Sequence, residues 1–227
     1  MTVLTATNLS RRFGKRWAYA RIDVRLQPTE KLLLIGANGS GKTTFLRSCA
    51  TLLPPTLGEL TLFGLNPWEN RDAVRKRIGF LSHKTGLYED LSATDNLRIF
   101  ARLMGKKITA LEAENYVERV GLDVRKDPVK SYSAGMRKRA SLALLLLKEP
   151  EVILLDEPFS ALDPTGIEEV SSLLSGMKAA MILVSHQVER ASSLCDRCIL
   201  LEDGLIRWQG EASKAWQAWR ASQQGES

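Results

Sequence analysis

The sequence predicts an α/β fold: a mostly parallel sheet with a β-rich N-terminal portion and a helical block inserted into the core. Three observations predict it. Apolar runs of strand length (31–35, 78–81, 152–155, 180–184) alternate with stretches of helical spacing, as in βαβ units. A glycine-rich turn joins the first of these runs directly to a helical pattern. From about Leu87 to Lys148 the pattern is helical throughout, broken near Gly105, Gly121 and Pro128.

The elements follow in order. Ile22, Val24 and Leu26 alternate with polar neighbours, as in a half-exposed strand. Lys31 to Ile35 reads as a short buried strand. In the stretch from Thr43 to Leu53, Phe45, Leu46, Cys49, Ala50 and Leu53 share a helical face, and Pro54–Pro55 stops it. Glu59 to Phe63 reads as a strand, and Ile78 to Leu81 as a buried one. After the helical block, Val152 to Leu155 and Ala180 to Val184 are continuous apolar runs, suited to central parallel strands buried on both faces. Ile199–Leu201 and Leu205–Trp208 flank Asp203–Gly204, a hairpin signal. Residues 221 to 227 read as a frayed tail.

Composition narrows the classes. With 227 residues, 44% hydrophobic and 26% charged, the chain suits one domain, 1–227, with a sizeable core and the helical part at about 87–148. No apolar run reaches the roughly 18 residues of a membrane span. The longest, Leu142 to Leu147, is bracketed by Arg137, Lys138, Arg139 and Lys148. Met1 to Ser10 lacks the charged start and apolar stretch of a secretory leader. The expected place is the cytoplasmic side, with any membrane role exercised through a partner. The net charge of +6 reads as a solvated surface, and no nucleic acid is expected. Cys195 and Cys198 form a lone CxxC with no second pair and no nearby histidine, so no zinc site is completed.

The chemistry concentrates in a few segments. Gly36-Ala37-Asn38-Gly39-Ser40-Gly41-Lys42-Thr43 fits G-x-x-x-x-G-K-[ST], between a strand and a helix, as a phosphate-binding loop requires. Its glycines let backbone N–H groups face the phosphates at a helix N-terminus. Lys42 is expected on the β- and γ-phosphates of a nucleotide, the Thr43 hydroxyl on Mg²⁺, and Thr44 on the α-phosphate. Asp156 and Glu157 end the apolar run 152–155, and open α/β sheets gather active groups at carboxyl strand ends. Asp156 is therefore expected to hold the metal and Glu157 to act as general base on the attacking water. The chain's two histidines, His83 and His186, each fall just past an apolar strand, at the same catalytic edge. Ser133 reads as an N-cap opening an apolar helix, with Ala134 and Gly135 leaving N–H groups open to an anion.

Taken together these segments resemble the ATP-binding subunits of ABC transporters, over roughly residues 3 to 210. The Walker A loop (36–43), a Q-loop-like segment (82–88), the signature-like Ser133-Ala134-Gly135-Met136-Arg137, the Walker B run (152–157), a D-loop (Ser160-Ala161-Leu162-Asp163) and the switch residue His186 occur in the family's order. The resemblance implies a P-loop NTPase (RecA-like) core, an N-terminal antiparallel β subdomain and an inserted α-helical subdomain. Phe13 falls where the family sets an aromatic ring against adenine. A head-to-tail homodimer, or a pair of ATP-binding subunits, is implied. Ser133 and Gly135 then act on the partner's γ-phosphate, Asp163 belongs to the ATP site, and integral membrane subunits are driven by closure and opening. Two departures stand out. His83 replaces the family's usual Gln, where it is expected near Mg²⁺ or water, and Ala134 and Met136 replace Gly and Gln in the signature. His83 together with the Ser133–Met136 form resembles the haem-exporter type of the cytochrome c maturation system. A small ABC-2-type exporter of drugs, lipids or polysaccharide is the alternative, and a soluble ABC ATPase acting on nucleic acid a more distant one.

Overall fold

The computed structural model describes residues 1–82 and 85–224. In chain order the strands and helices are β1 (Leu4–Phe13), β2 (Arg16–Leu26), β3 (Lys31–Ile35), α1 (Lys42–Cys49), β4 (Leu57–Leu62), α2 (Arg71–Arg77) and β5 (Ile78–Leu81). There follow α3 (Ala93–Leu103), α4 (Ala110–Glu118), α5 (Ala134–Lys148), β6 (Val152–Asp156), α6 (Pro164–Gly176), β7 (Ala180–Val184), α7 (Val188–Ser192), β8 (Arg197–Glu202), β9 (Leu205–Glu211) and α8 (Ala215–Gln224). The chain divides into two compact units.

The first unit takes Met1–Phe80, Glu151–Glu157 and Lys178–Ser227. It holds a three-stranded sheet in the order β2-β1-β4, antiparallel throughout, and a six-stranded sheet in the order β5-β6-β7-β3-β8-β9. β3 pairs in parallel with both β7 and β8, β6 pairs in parallel with β7, and β9 closes one edge antiparallel to β8. Side chains alternate across a strand, which sorts the apolar runs into two faces. Leu32, Leu34, Leu154, Ile182 and Ile199 join one core with Phe45, Leu46 and Cys49 of α1 and with Leu4, Leu9, Ile22 and Val24 of the antiparallel sheet. The intervening Leu33, Ile35, Ile153, Leu155 and Leu183 are also buried. Burial on both faces is why these strands are written as unbroken apolar runs. The fold is thus α/β, a P-loop NTPase core with an antiparallel β portion. No described helix is long and apolar enough to cross a membrane.

The second unit takes Leu81–Pro150 and Pro158–Met177. Its helices start on side-chain caps: the Ser92, Ser133 and Asp163 side chains accept from the N–H groups of Asp95, Met136 and Gly166, and Thr109 forms a capping box with Glu112. Each cap satisfies an orphan donor of the first turn, worth about 1 kcal/mol. Asn96 is fully buried on α3; its Oδ1 accepts from Tyr88 N–H (2.7 Å) and its Nδ2 donates to Tyr88 O (3.0 Å) and Ser92 O (2.9 Å). One amide thereby ties the approach loop to the helix.

Several boundaries differ from the sequence expectation. The Thr43–Leu53 helix stops at Cys49, because Thr51 adopts a left-handed conformation (φ 62°). The helical block starts at Ala93, not Leu87. Residues 221–224 are not frayed; they complete α8.

Candidate nucleotide site

The first unit brings together what the sequence separates by more than a hundred residues. The loop of Gly36 to Gly41 leaves β3 and enters α1 with Gly41 at its N-cap. Gly41 has φ 101°, and a Cβ there would collide with the Ala18 carbonyl, so this turn accepts no other residue without strain. Behind the loop, the buried Tyr19 donates from its hydroxyl to Ser48 Oγ (2.7 Å) and packs edge-on to Phe45 at 5.6 Å. β2 thus fixes α1, and α1 fixes the direction of the loop's N–H groups.

Lys42 folds back along the loop: Nζ donates to Gly36 O (2.8 Å) and Ala37 O (2.7 Å). Burial holds its ammonium below the ordinary value, opposed by the charges of Glu157 and Asp156. Such a cation gains by trading carbonyls for phosphate oxygens. The Thr43 hydroxyl donates to Asp156 Oδ1 at 3.0 Å, joining the start of α1 to the end of β6. Asp156 Oδ2 is buried and has no hydrogen-bond partner among the described residues. A buried carboxylate oxygen so placed costs free energy unless something compensates it. Adjacent hydroxyl and carboxylate oxygens fit the hard-oxygen ligands of Mg²⁺.

Glu157 follows on β6 with φ 53°, a left-handed conformation that costs a non-glycine residue about 1 kcal/mol. Its N–H donates to Val184 O at 3.0 Å. Burial raises its carboxyl above the usual range, and the neighbouring His186 pulls it part of the way back. His186, beyond β7, donates from its backbone N–H to Glu157 Oε2 (3.3 Å), with its Nε2 3.4 Å from Oε1. Carboxylate and imidazole at one sheet edge can share the handling of a water proton. Phe13 ends β1 half exposed, the Arg11 guanidinium 4.8 Å from its ring centre, so one face is open to stacking. Gly39, Asn38 and Ser40 line a cavity with Arg16. Arg16 is a cation the sequence reading missed; its only signal was the basic run 11–16. Thr44 lies in the first turn of α1.

The second unit carries the other segments. Ser133 caps α5, its Oγ accepting from Met136 N–H at 3.2 Å. Gly135 packs on the D-loop: a Cβ would stand 2.8 Å from the Ala161 carbonyl oxygen. Asp163 caps α6 and also meets Arg139 of α5, Nη2 to Oδ1 at 3.4 Å. Arg139 is only 14% exposed and adds bonds to Glu169 Oε2 (2.6 Å) and Gly121 O (2.7 Å). This tie between signature helix and D-loop escaped the sequence reading, since one Arg in Arg137-Lys138-Arg139 looks like the next. His83 lies outside the described residues.

Comparisons with known proteins agree with this geometry. The family described as ABC transporter matches residues 19–160. The daunorubicin resistance ATP-binding protein DrrA3 of Streptomyces coeruleorubidus is 36% identical over 94% of this chain and 69% of its own length. The ABC transporter ATP-binding protein NatA of Bacillus subtilis (strain 168) is 31% identical over 96% of this chain and 94% of its own. Among solved structures, a dimeric ATP-binding cassette in a post-hydrolysis state, bound to ADP and Pi, superimposes with a TM-score of 0.84 at 23% identity, covering 92% of this chain and 98% of that one. Motif order, fold and relatives converge: the chain belongs to the ABC transporter family as an ATP-binding subunit, and it is an ATPase.

Proposed function

We propose that this chain hydrolyses Mg-ATP at the edge formed by the ends of β3, β6 and β7, and that the cycle drives a membrane-embedded exporter. The observation that carries the reading is the Thr43–Asp156 bond (3.0 Å) beside the Glu157–His186 pair. Two oxygens suited to a metal stand next to a base suited to water. The loop N–H groups and Lys42 bind the triphosphate, and Phe13 stacks on adenine. Thr43 and Asp156 hold Mg²⁺, which neutralises phosphate charge. Glu157 takes the proton of the attacking water and His186 orients that water and the γ-phosphate. Such a transfer needs positioning and charge compensation rather than a covalent intermediate. Ser133, Gly135 and Asp163 act across a dimer, on the nucleotide of a second copy or paired subunit. Attachment to the cytoplasmic face of the cell membrane runs through integral membrane subunits.

For the cargo, the reading is haem export in cytochrome c maturation, supported by His83 and the Ser133–Met136 form. The likeness to a daunorubicin resistance protein favours a second reading, a small exporter of drugs or other amphiphiles. Deleting the gene separates them. Loss of covalently attached haem from c-type cytochromes, with drug tolerance unchanged, supports the first; the opposite pattern supports the second. Absence of Mg-ATP binding in the folded chain overturns both.

A further inference from the structure

We propose that the C-terminal helix α8 is a brace for both phosphate-facing segments, Trp219 backing the first half of the Walker A loop and Trp216 backing the segment that carries His186. The inference rests on the reading that these two segments handle ATP. The helix packs on α7, β8 and β9. Trp219, Ser222 and Gln223 line a cavity of about 110 Å³ together with Asn38 and Gly39. Trp216, one turn earlier on the same face, lines a recess of about 600 Å³ with His186 and the following residues to Arg190.

Both segments need outside support. In the first half of the loop, Gly36 to Ser40, all side chains are small or short; Lys42 holds the Gly36 and Ala37 carbonyls, while Ala37, Asn38 and Gly39 are exposed and gain from a support on that side. α7 has 5 residues, with Val188 and Ala191 buried, and a helix so short has no stability of its own. The position of His186, two residues before α7, therefore depends on what α7 leans against. Indole rings suit the task, being large and having few torsions to freeze. The Arg220 guanidinium covers Trp216 at 4.9 Å, and Ser222 Oγ donates to the Trp219 carbonyl at 2.8 Å. Trp216 and Trp219 are thus positioning residues that reach the chemistry through the loop and the histidine.

The test compares the full chain with Trp216→Ala and Trp219→Ala, measuring equilibrium binding of Mg-ATP, kcat, KM and the pH profile of hydrolysis. Trp219→Ala is expected to weaken ATP binding roughly tenfold with kcat nearly unchanged, because the Asn38–Gly39 side of the loop loses its backing. Trp216→Ala is expected to lower kcat roughly tenfold and shift the acid limb of the pH profile, with ATP binding unchanged, because His186 no longer holds station beside Glu157. If an alanine variant does not fold, Trp→Leu carries the same split at smaller amplitude. Both variants losing binding and turnover in parallel, or neither changing, overturns the brace. Wild-type chain that binds no Mg-ATP removes the nucleotide reading beneath it instead.

Discussion

At Glu157 two unfavourable conditions coincide: a left-handed backbone (φ 53°) and a carboxyl whose proton is held more tightly by burial. Left-handed backbone alone does not mark a site, since Thr51 and Glu149 share it at helix ends; at Glu157 it coincides with a buried carboxyl beside His186. Glu157→Gln is expected to lose at least about 100-fold in hydrolysis while retaining Mg-ATP binding, the signature of a group used only in the chemical step. The pH dependence has a definite sign. As the proposed base, Glu157 works deprotonated, and its pKa is raised, so activity is expected to fall on the acid side at a pH above the ordinary glutamate value of about 4.3. His186 opposes that rise, so His186→Ala moves the acid limb further up as well as lowering the rate. A pH–rate profile of the two proteins checks this. His83→Gln, restoring the family's usual residue, is expected to keep or raise ATPase activity; complete loss would give His83 a specific task. At this scale Lys42, Thr43, Asp156 and Glu157 were legible because short motifs fix their local geometry. Arg16 and Arg139 were not, because the value of an arginine depends on what the fold sets beside it.

Among the elements, α5 and α6 are joined by Arg139, and Gly135 lies against the D-loop backbone. Arg139→Ala leaves Asp163, Glu169 and the Gly121 carbonyl without that partner, and is expected to cost about 1–3 kcal/mol in urea unfolding. Gly135→Ala is expected to displace the D-loop and lower hydrolysis severalfold, with ATP binding by the isolated chain unchanged, since the proposed nucleotide site is built on the Walker A loop. Steady-state kinetics beside equilibrium binding distinguish the two effects. Runs 78–81, 152–155 and 180–184 were readable because burial on both faces removes polar residues from them. β1 was not, for its burial is uneven along the strand and its pairing with β2 and β4 is broken by bulges. α8 was missed because a short helix of Trp, Ala, Gln and Arg is defined by what it leans on.

Over the whole molecule, Asp156 Oδ2, buried and without a partner among the described residues, and the folded-back Lys42 are the groups that the proposed binding of nucleotide and metal would relieve. Binding to the folded state alone stabilises it by about 2.7 kcal/mol at a ligand concentration of 100 Kd. Mg-ATP is therefore expected to raise the melting temperature by several degrees, and ATP without a divalent ion by less. A thermal scan with and without chelator checks it.

The route of the backbone has a further consequence, for synthesis. β3 finds its parallel neighbours only at Leu34↔Val184 and Leu33↔Cys198, about 150 residues downstream. Until the ribosome has delivered that distant sequence, the nascent chain carries an apolar strand with both edges bare. Such remote parallel pairing slows folding and invites association with other chains. The second compact unit closes through nearer contacts, so the order of emergence leaves the catalytic sheet to be completed last.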